Sequence, residues 1–320
     1  MRKVAFKYKV AVAAILVVCI GLIITLICYS VAPSNFPRNA IVRINKDMSV
    51  SAVASLFKEK GIVKSAYLFK VYTVLLHDGR GVQAGSYLFN EPQSALRVAY
   101  RASYGIKNIE KIKLTIFEGT NTKEIAALAK KSIPDFDAAA FLDEAKPLEG
   151  YLFPETYFVD PDITPHELVV LMRDQFDVAM KPLEDAIATS THSLEEIVTM
   201  ASIVEEEARK YVDRQTIAGI LWKRISKGMA LQVDVPFYYI MNNKTGGITL
   251  NDLATTSPYN TYLNKGLPPT PITNPGLNAI QATLNPIATS YYFYLADGDG
   301  VTRYATTHDG HILNRQKYLQ

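Results

Sequence analysis

Hydrophobic and polar positions divide this 320-residue chain into three textures. The first is a run from Val10 to Cys28, VAVAAILVVCIGLIITLIC, that carries no charge and follows Arg2, Lys3, Lys7 and Lys9. About 20 apolar residues in a helix cross the hydrocarbon core of a bilayer, and basic flanks stay in the cytoplasm. This pattern predicts a cytoplasmic tip over 1–9, a transmembrane helix over 10–31 and a turn-rich linker over 32–40. A cleaved signal peptide is the competing reading. The length of the apolar core and Pro33 after Ser30-Val31-Ala32 favour a retained anchor. A single-pass protein of the cytoplasmic (inner) membrane, with its N-terminus in the cytoplasm and its main body outside, is the resulting expectation.

The second texture is a repeat. Val42-Arg43-Ile44 alternates as a strand does, Met48-Ser49-Val50 supplies a helix cap, and Val53-Ala54-Ser55-Leu56 begins an apolar helical stripe. Leu114-Thr115-Ile116, Thr120-Asn121-Thr122 and Ile125-Ala126-Ala127-Leu128 echo these segments 72 residues later. Gln83 to Phe89 reads as the turn and strand that close the first unit. The strand–turn–helix pattern resembles the LysM-like modules that bind GlcNAc-containing glycans, which places modules over 41–106 and 107–147. A structural unit without a ligand fits the same pattern.

The third texture begins at Leu148 and continues to Gln320. Tyr, Pro and Asn become frequent, and two helices are predicted over 194–209 and 212–227, the second stopped by Gly228. Tyr291–Ala296 reads as a buried strand, and Asp297-Gly298-Asp299-Gly300 as a hairpin turn. Short strands and helices mixed without a regular βαβ rhythm predict an α+β fold. Within the first helix, Ala201, Val204 and Ala208 fall within about 40° of Ile197 at about 100° per residue, which makes the core stripe. Glu206 faces away from that stripe, whereas Glu205 and Glu207 flank it. A carboxyl beside an apolar stripe is partly desolvated, which raises its pKa and fits it to act as a general acid. Three consecutive Glu residues are otherwise an ordinary solvated face.

Composition narrows the partners. There are 34 Lys and Arg against 31 Asp and Glu, a net charge of +3, and four of the positive charges lie in the first nine residues. The remainder offers no basic face for nucleic acid. The only two cysteines, Cys19 and Cys28, sit in the apolar run, so the rest of the chain needs no disulfide. His308 and His311 are three apart, but Gly310 suggests a turn and no third ligand is near, so no metal is expected, and no cofactor loop is present.

Five segments occur in order: Leu148 to Tyr157 (LEGYLFPETY), Ala201 to Glu207 (ASIVEEE), Leu231 to Asp234 (LQVD), Tyr259 to Tyr262 (YNTY), and Gly266 to Gly276 (GLPPTPITNPG). Together they resemble the endolytic murein transglycosylase (YceG-like) family, with 148–320 as its catalytic domain. The resemblance implies a peptidoglycan lyase that cleaves MurNAc–GlcNAc bonds within nascent glycan strands, leaves 1,6-anhydroMurNAc ends and so terminates strand elongation. It makes Glu207 the catalytic acid and base. The nucleophile would be the substrate's own C6 hydroxyl, so no second catalytic carboxylate is required, unlike in a glycoside hydrolase. Glu149, Tyr151, Glu205, Gln232, Asp234, Tyr259, Asn260 and Tyr262 are the expected substrate-binding residues. Peptidoglycan strands, cell-wall synthases and the cytoplasmic membrane are the partners implied. Departures from the family pattern include Val235-Pro236 after the LQ-D motif, Thr270 in place of Gly, Val301-Thr302 where a His is usual, and Gly310 before His311. A non-catalytic peptidoglycan-binding scaffold is the alternative, and release of glycan fragments separates the two.

Overall fold

The computed structural model describes residues 15–21, 24–76, 81–241 and 248–319, which fall into two compact units, one up to Lys111 and one from Ile112 onward. The first unit has the order β1 (Ala40–Ile44), α1 (Val50–Glu59), α2 (Ala66–Leu76), β2 (Gly85–Phe89) and α3 (Ala95–Tyr104). β1 and β2 pair antiparallel, with Val42 opposite Tyr87. Val42 and Ile44 turn inward while Ile41 and Arg43 stay out, as the alternation dictates. Ser49 caps α1 by accepting from the Ala52 amide. Phe57 meets Phe69 and Phe89 edge to face, at 5.2 and 5.6 Å between ring centres, and these rings form the centre of the core.

The second unit opens in the same way. Its order is β3 (Ile112–Thr115), α4 (Thr122–Ser132), α5 (Ala138–Ala145), β4 (Thr156–Val159) and α6 (Pro165–Met180). β3 and β4 are antiparallel, with Leu114 opposite Tyr157. Element starts at 40, 50, 66, 85 and 95 recur at 112, 122, 138, 156 and 165, offsets of 72, 72, 72, 71 and 70. The repeat is therefore a full strand–helix–helix–strand–helix. Its second copy closes with β4 and α6, beyond residue 147 and within the stretch that begins at Leu148. Asn121 and Glu124 make a reciprocal capping box at the start of α4.

The remainder of this unit carries α7 (Glu184–Thr189), α8 (Leu194–Glu207), α9 (Tyr211–Ser226), α10 (Val235–Met241), α11 (Leu250–Leu253) and α12 (Leu277–Leu284). A hairpin of β5 (Phe293–Ala296) and β6 (Thr302–Ala305) follows, then α13 (His308–Tyr318). α8 is the central helix: eight consecutive residues, Ile197 to Val204, are buried, and α9 and α12 pack on it. It ends at Glu207, two residues before the expected end. Ala208 is extended, with φ −150° and ψ 149°, because its carbonyl accepts from Arg214 Nε at 2.8 Å instead of continuing the helix. The Asp297 carboxylate accepts from the Asp299 and Val301 amides and holds the hairpin turn. His308–Tyr318 is helical through Gly310, where a turn was expected, because Thr307 caps it by accepting from the Gly310 amide.

The architecture is mixed α+β, but the N-terminal expectation is corrected. Residues 1–14, which include the expected cytoplasmic tip, and residues 22 and 23 lie outside the described residues. The described stretches 15–21 and 24–30 are helical. A helix that crosses the hydrocarbon core of about 30 Å needs about 20 continuous apolar residues. Among the described residues, no helix is long and apolar enough to cross a membrane. The transmembrane helix over 10–31, and with it the single-pass placement in the cytoplasmic membrane, is not supported.

Close packing of α9 rests on Gly219. A Cβ there would lie 2.1 Å from the carbonyl oxygen of Ile287, whose amide is fixed on the Gln215 carbonyl. Overpacking against backbone outweighs the gain in helix propensity from Ala. Gly219→Ala should therefore lower the unfolding free energy by about 1–3 kcal/mol, read from the urea midpoint.

Candidate active site

The site is built at the end of α8, where Glu205, Glu206 and Glu207 crowd the electronegative terminus of a helix. Each carboxyl meets a different environment. Glu205 forms a buried ion pair with Arg214, and its second oxygen accepts from the Gly276 amide at 3.0 Å. Arg214 also donates to Asn278 at 3.0 Å, so this pair ties α8, α9 and the start of α12 together. Burial pushes the Glu205 carboxyl up to about 6, with Arg214 and the Gly276 amide pulling the other way. Glu206 lies against Gly119, where a Cβ would meet its carboxylate oxygen.

Glu207 is half-buried, and its carboxyl senses groups from three other segments: α9, the loop at Asp234 and β5. Loss of solvent pushes its pKa up to about 7, and the charges of Asp234 and Glu206 add to that rise. Arg224 and the Tyr294 hydroxyl act in the opposite sense. Asp234 is itself held by Tyr262, whose hydroxyl donates to Oδ1 at 2.6 Å. The Tyr294 hydroxyl is shut off from solvent, and its proximity to Glu207 favours the charged carboxylate. A carboxyl with its pKa raised to about 7 is partly protonated near neutral pH, as a general acid requires.

Three of the nine expected site residues, Glu207, Asp234 and Tyr262, come together here. Gln232 is exposed two residues from Asp234 with φ +48°, a left-handed backbone that its amide bond to the Thr261 carbonyl holds in place. Tyr259 packs its ring 5.2 Å from Tyr239 and shares a 2.7 Å hydrogen bond with Thr270. Asn260 is fully buried: its Nδ2 donates to the Leu253 and Thr255 carbonyls, and its Oδ1 accepts from the Tyr262 and Leu263 amides. Tyr151 lies in a different cluster, edge-on to Phe176 and under Arg173. Glu149 is 3% exposed and accepts from the Thr122 amide, the Thr122 hydroxyl and Asn274 Nδ2. Burial pushes Glu149 up to about 7 against those donors.

Asn274 is the hub of this network. Its Oδ1 accepts from the Gly150 and Leu152 amides, both at 2.9 Å, while Nδ2 donates to Thr120 and Glu149. Gly150 has φ +89°, and a Cβ there would meet Pro271 at 2.5 Å, so only glycine lets the two loops touch. Ser202 receives the Ile272 amide at 3.1 Å and joins α8 to the same loop. Open hollows of about 480 and 520 Å³ flank Phe117 and Glu118, but neither is lined by Glu207, Asp234 or Tyr294. Size alone therefore does not locate the site.

Arg224 and Tyr294 are the residues that sequence reasoning missed. Tyr294 left a faint signal, since a tyrosine in a buried strand needs a partner for its hydroxyl. Arg224 left none beyond its place on α9. It is buried, donates to the Tyr292 carbonyl at 2.9 Å and to the Leu231 carbonyl, and covers the Phe293 ring.

Two stability measurements follow from this geometry. Glu149→Ala would strand buried donors from Thr122 and Asn274, so it should cost about 2–4 kcal/mol in urea unfolding. Glu207 has a folded-state pKa above its ordinary value, so its favourable contribution is present below about pH 4.5 and fades as pH rises towards about 7. Glu207→Gln cannot ionise. It should melt higher than the unsubstituted protein at pH 8 and no higher at pH 4.5 in thermal unfolding.

With the site described, comparison with known proteins is informative. A model of the YceG-like family matches residues 42–317. A Bacillus subtilis strain 168 protein named endolytic murein transglycosylase is 31% identical over 305 residues, covering 87% of this chain and 84% of its own length. A Streptococcus pneumoniae protein of the same name is 33% identical over 178 residues, 54% of this chain, and the match spans only 32% of that longer protein. The crystal structure of a yceG-like protein from Listeria monocytogenes superposes with a TM-score of 0.58 at 28% identity, covering 86% of this chain and 99% of the other. Family match, relatives and fold agree: the chain belongs to the YceG-like family.

Proposed function

We propose that this chain is a peptidoglycan lytic transglycosylase that cleaves MurNAc–GlcNAc bonds within glycan strands. The observation that carries the reading is Glu207, a half-buried acid among Asp234, Arg224 and Tyr294 whose pKa burial pushes up to about 7. The names of its relatives support the substrate class. In the first half of the reaction, Glu207 gives its proton to the glycosidic oxygen as the C1–O bond of MurNAc breaks. In the second, the carboxylate takes the proton of the C6 hydroxyl as that oxygen bonds to C1. The products are a free GlcNAc 4-hydroxyl and a 1,6-anhydroMurNAc end, and Glu207 is regenerated as the acid.

An intramolecular nucleophile needs no activated water, and proximity does the work that a second catalytic carboxylate does in a hydrolase. In this reading Gln232, Asp234 and Tyr262 contact sugar. Glu149, Glu205 and Asn260 have filled their hydrogen bonds inside the protein and act through the fold. The unit over 41–106 is read as a LysM-like module, supported by α1 and α2, two of its three helices, packed with an antiparallel strand pair. Cutting within strands as they are made would limit their length.

The test is digestion of purified glycan strands followed by mass spectrometry. Fragments should end in anhydroMurNAc, and Glu207→Gln should lower the rate by at least about 10²-fold while the far-UV CD spectrum is unchanged. Reducing ends in place of anhydro ends would replace the lyase reading with a hydrolase.

A further inference from the structure

The inner face of the β3–β4 pair belongs to the core, where Leu114, Tyr157 and Val159 are buried. Its outer face is built differently. Lys113 and Phe158 stand opposite each other there, followed by Thr115 and Thr156, whose hydroxyls are 3.1 Å apart. The Ile116 amide donates to the Glu155 carbonyl at 3.0 Å and carries the ladder one pair beyond the strands. Phe117 then falls opposite Pro154, on the side of Thr115 and Phe158, because alternate residues of a strand share a face. Phe117 is 69% and Phe158 59% exposed. Two large apolar rings left in water on one face mark a place of contact.

The Phe117 ring is presented on a fixed turn. Its carbonyl accepts from the Thr120 amide at 3.2 Å, and the Gly119 amide donates to the Asn274 carbonyl at 2.9 Å. The repeat supplies an internal comparison. Leu114 and Tyr157 pair as Val42 and Tyr87 do in the first unit. Counted from those pairs, the positions of Phe117 and Phe158 hold Asn45 and Leu88 in the first copy. The same strand pair therefore forms without aromatic rings at either place, and the rings answer to something other than the fold.

The surroundings identify what that is. The two open hollows meet at Phe117, and Glu118 lines both. One of them is also lined by Glu155 and Thr156 and reaches α8 at Glu205, two residues from Glu207. We propose that the outer face of β3–β4 is a platform for a glycan strand, with Phe117 and Phe158 stacking on hexosamine rings and Thr115, Thr156, Glu118 and Glu155 meeting their hydroxyl and amide groups. The inference rests on the reading that this chain acts on glycan strands, and it extends recognition beyond the bond that is cut. A pyranose ring turns C–H groups to its faces, which cover an aromatic ring, and hydroxyls to its rim, which donate to carboxylates. An apolar protein segment would bury Glu118 and Glu155 without donors, and a polyanion would be repelled by them. Phe158 and Pro154, the residue opposite Phe117, are four positions apart, about 13 Å at about 3.3 Å per residue. An oligosaccharide, and not a single sugar, touches both rings.

The experiment uses N-acetylchitotetraose, which contains no MurNAc and so offers no bond for the proposed lyase to cut. Its binding is measured by titration calorimetry on the purified full chain, Phe117→Ala, Phe158→Ala and Phe117→Tyr. Each alanine variant should bind about five- to thirtyfold more weakly, the loss of one stacked ring, and Phe117→Tyr should stay within about twofold. With glycan strands as substrate, the alanine variants should raise KM by a similar factor and hold kcat within about twofold, because the lost contact is made equally before and during reaction. If the tetraose does not bind, or binds all four proteins alike with KM unmoved, this inference fails, and loss of cleavage in Glu207→Gln still upholds the reading of the acid. If the tetraose binds through Phe117 and Phe158 while Glu207→Gln cleaves normally, the platform stands and that reading falls. If the alanine variants instead turn a concentration-dependent dimer into a monomer in sedimentation, with tetraose binding unmoved, the face is a contact between copies of this chain and the inference is overturned.

Discussion

Helix dipoles disfavour negative charge at a C-terminus, and α8 places three carboxyls there in succession. The fold answers this by treating them unequally. Arg214 neutralises Glu205, and in doing so reaches from α9 to the Ala208 carbonyl and Asn278, which stops α8 and sets the path of the chain beyond it. Because Ala208 is pulled out of the helix, Glu207 becomes the last helical residue. Its environment then favours the neutral acid through burial, the nearby charge of Asp234 and the helix terminus together. Without the Glu205–Arg214 pair, α8 would lack its stop and Glu207 its place.

The remaining motif residues serve that arrangement mostly from inside. Asn274 joins the Gly150 and Leu152 amides, Glu149 and the Thr120 carbonyl, four groups from two loops far apart in sequence. Ser202 fastens the same proline-rich loop to α8. Thr261 exchanges hydrogen bonds with Val233 and holds the loop that presents Tyr262 to Asp234. Fully satisfied buried networks of this kind fix loops that have too little apolar area to fix themselves.

Much of this was legible in the sequence, for identifiable reasons. The apolar stripe through Ile197, Ala201, Val204 and Ala208 put Glu205 and Glu207 at the edge of the core; the first three are buried, whereas Ala208 leaves the helix and is only partly buried. The repeat was visible only through Leu128, because beyond it the two copies share topology and spacing but few residues. Arg224 and Tyr294 meet Glu207 from 17 and 87 residues away, and no local pattern encodes such a meeting. Polar residues such as Glu149 and Asn260 look alike in sequence whether they face a sugar or a backbone amide. The apolar run from Val10 predicted a spanning helix from composition alone, whereas among the described residues no helix is long and apolar enough to cross a membrane.

In the proposed reaction, Asp234 would serve both halves with one fixed charge. Before proton transfer its charge opposes ionisation of Glu207 and so preserves the acid. As the glycosidic bond breaks, positive charge develops on the sugar ring, and an anion beside it becomes favourable where it was unfavourable to Glu207. Tyr262 makes this workable: its 2.6 Å hydrogen bond keeps the Asp234 carboxylate oriented while both neighbours change charge. A carboxylate held in this way acts by position and needs no covalent step, which leaves the anomeric carbon to the sugar's own hydroxyl.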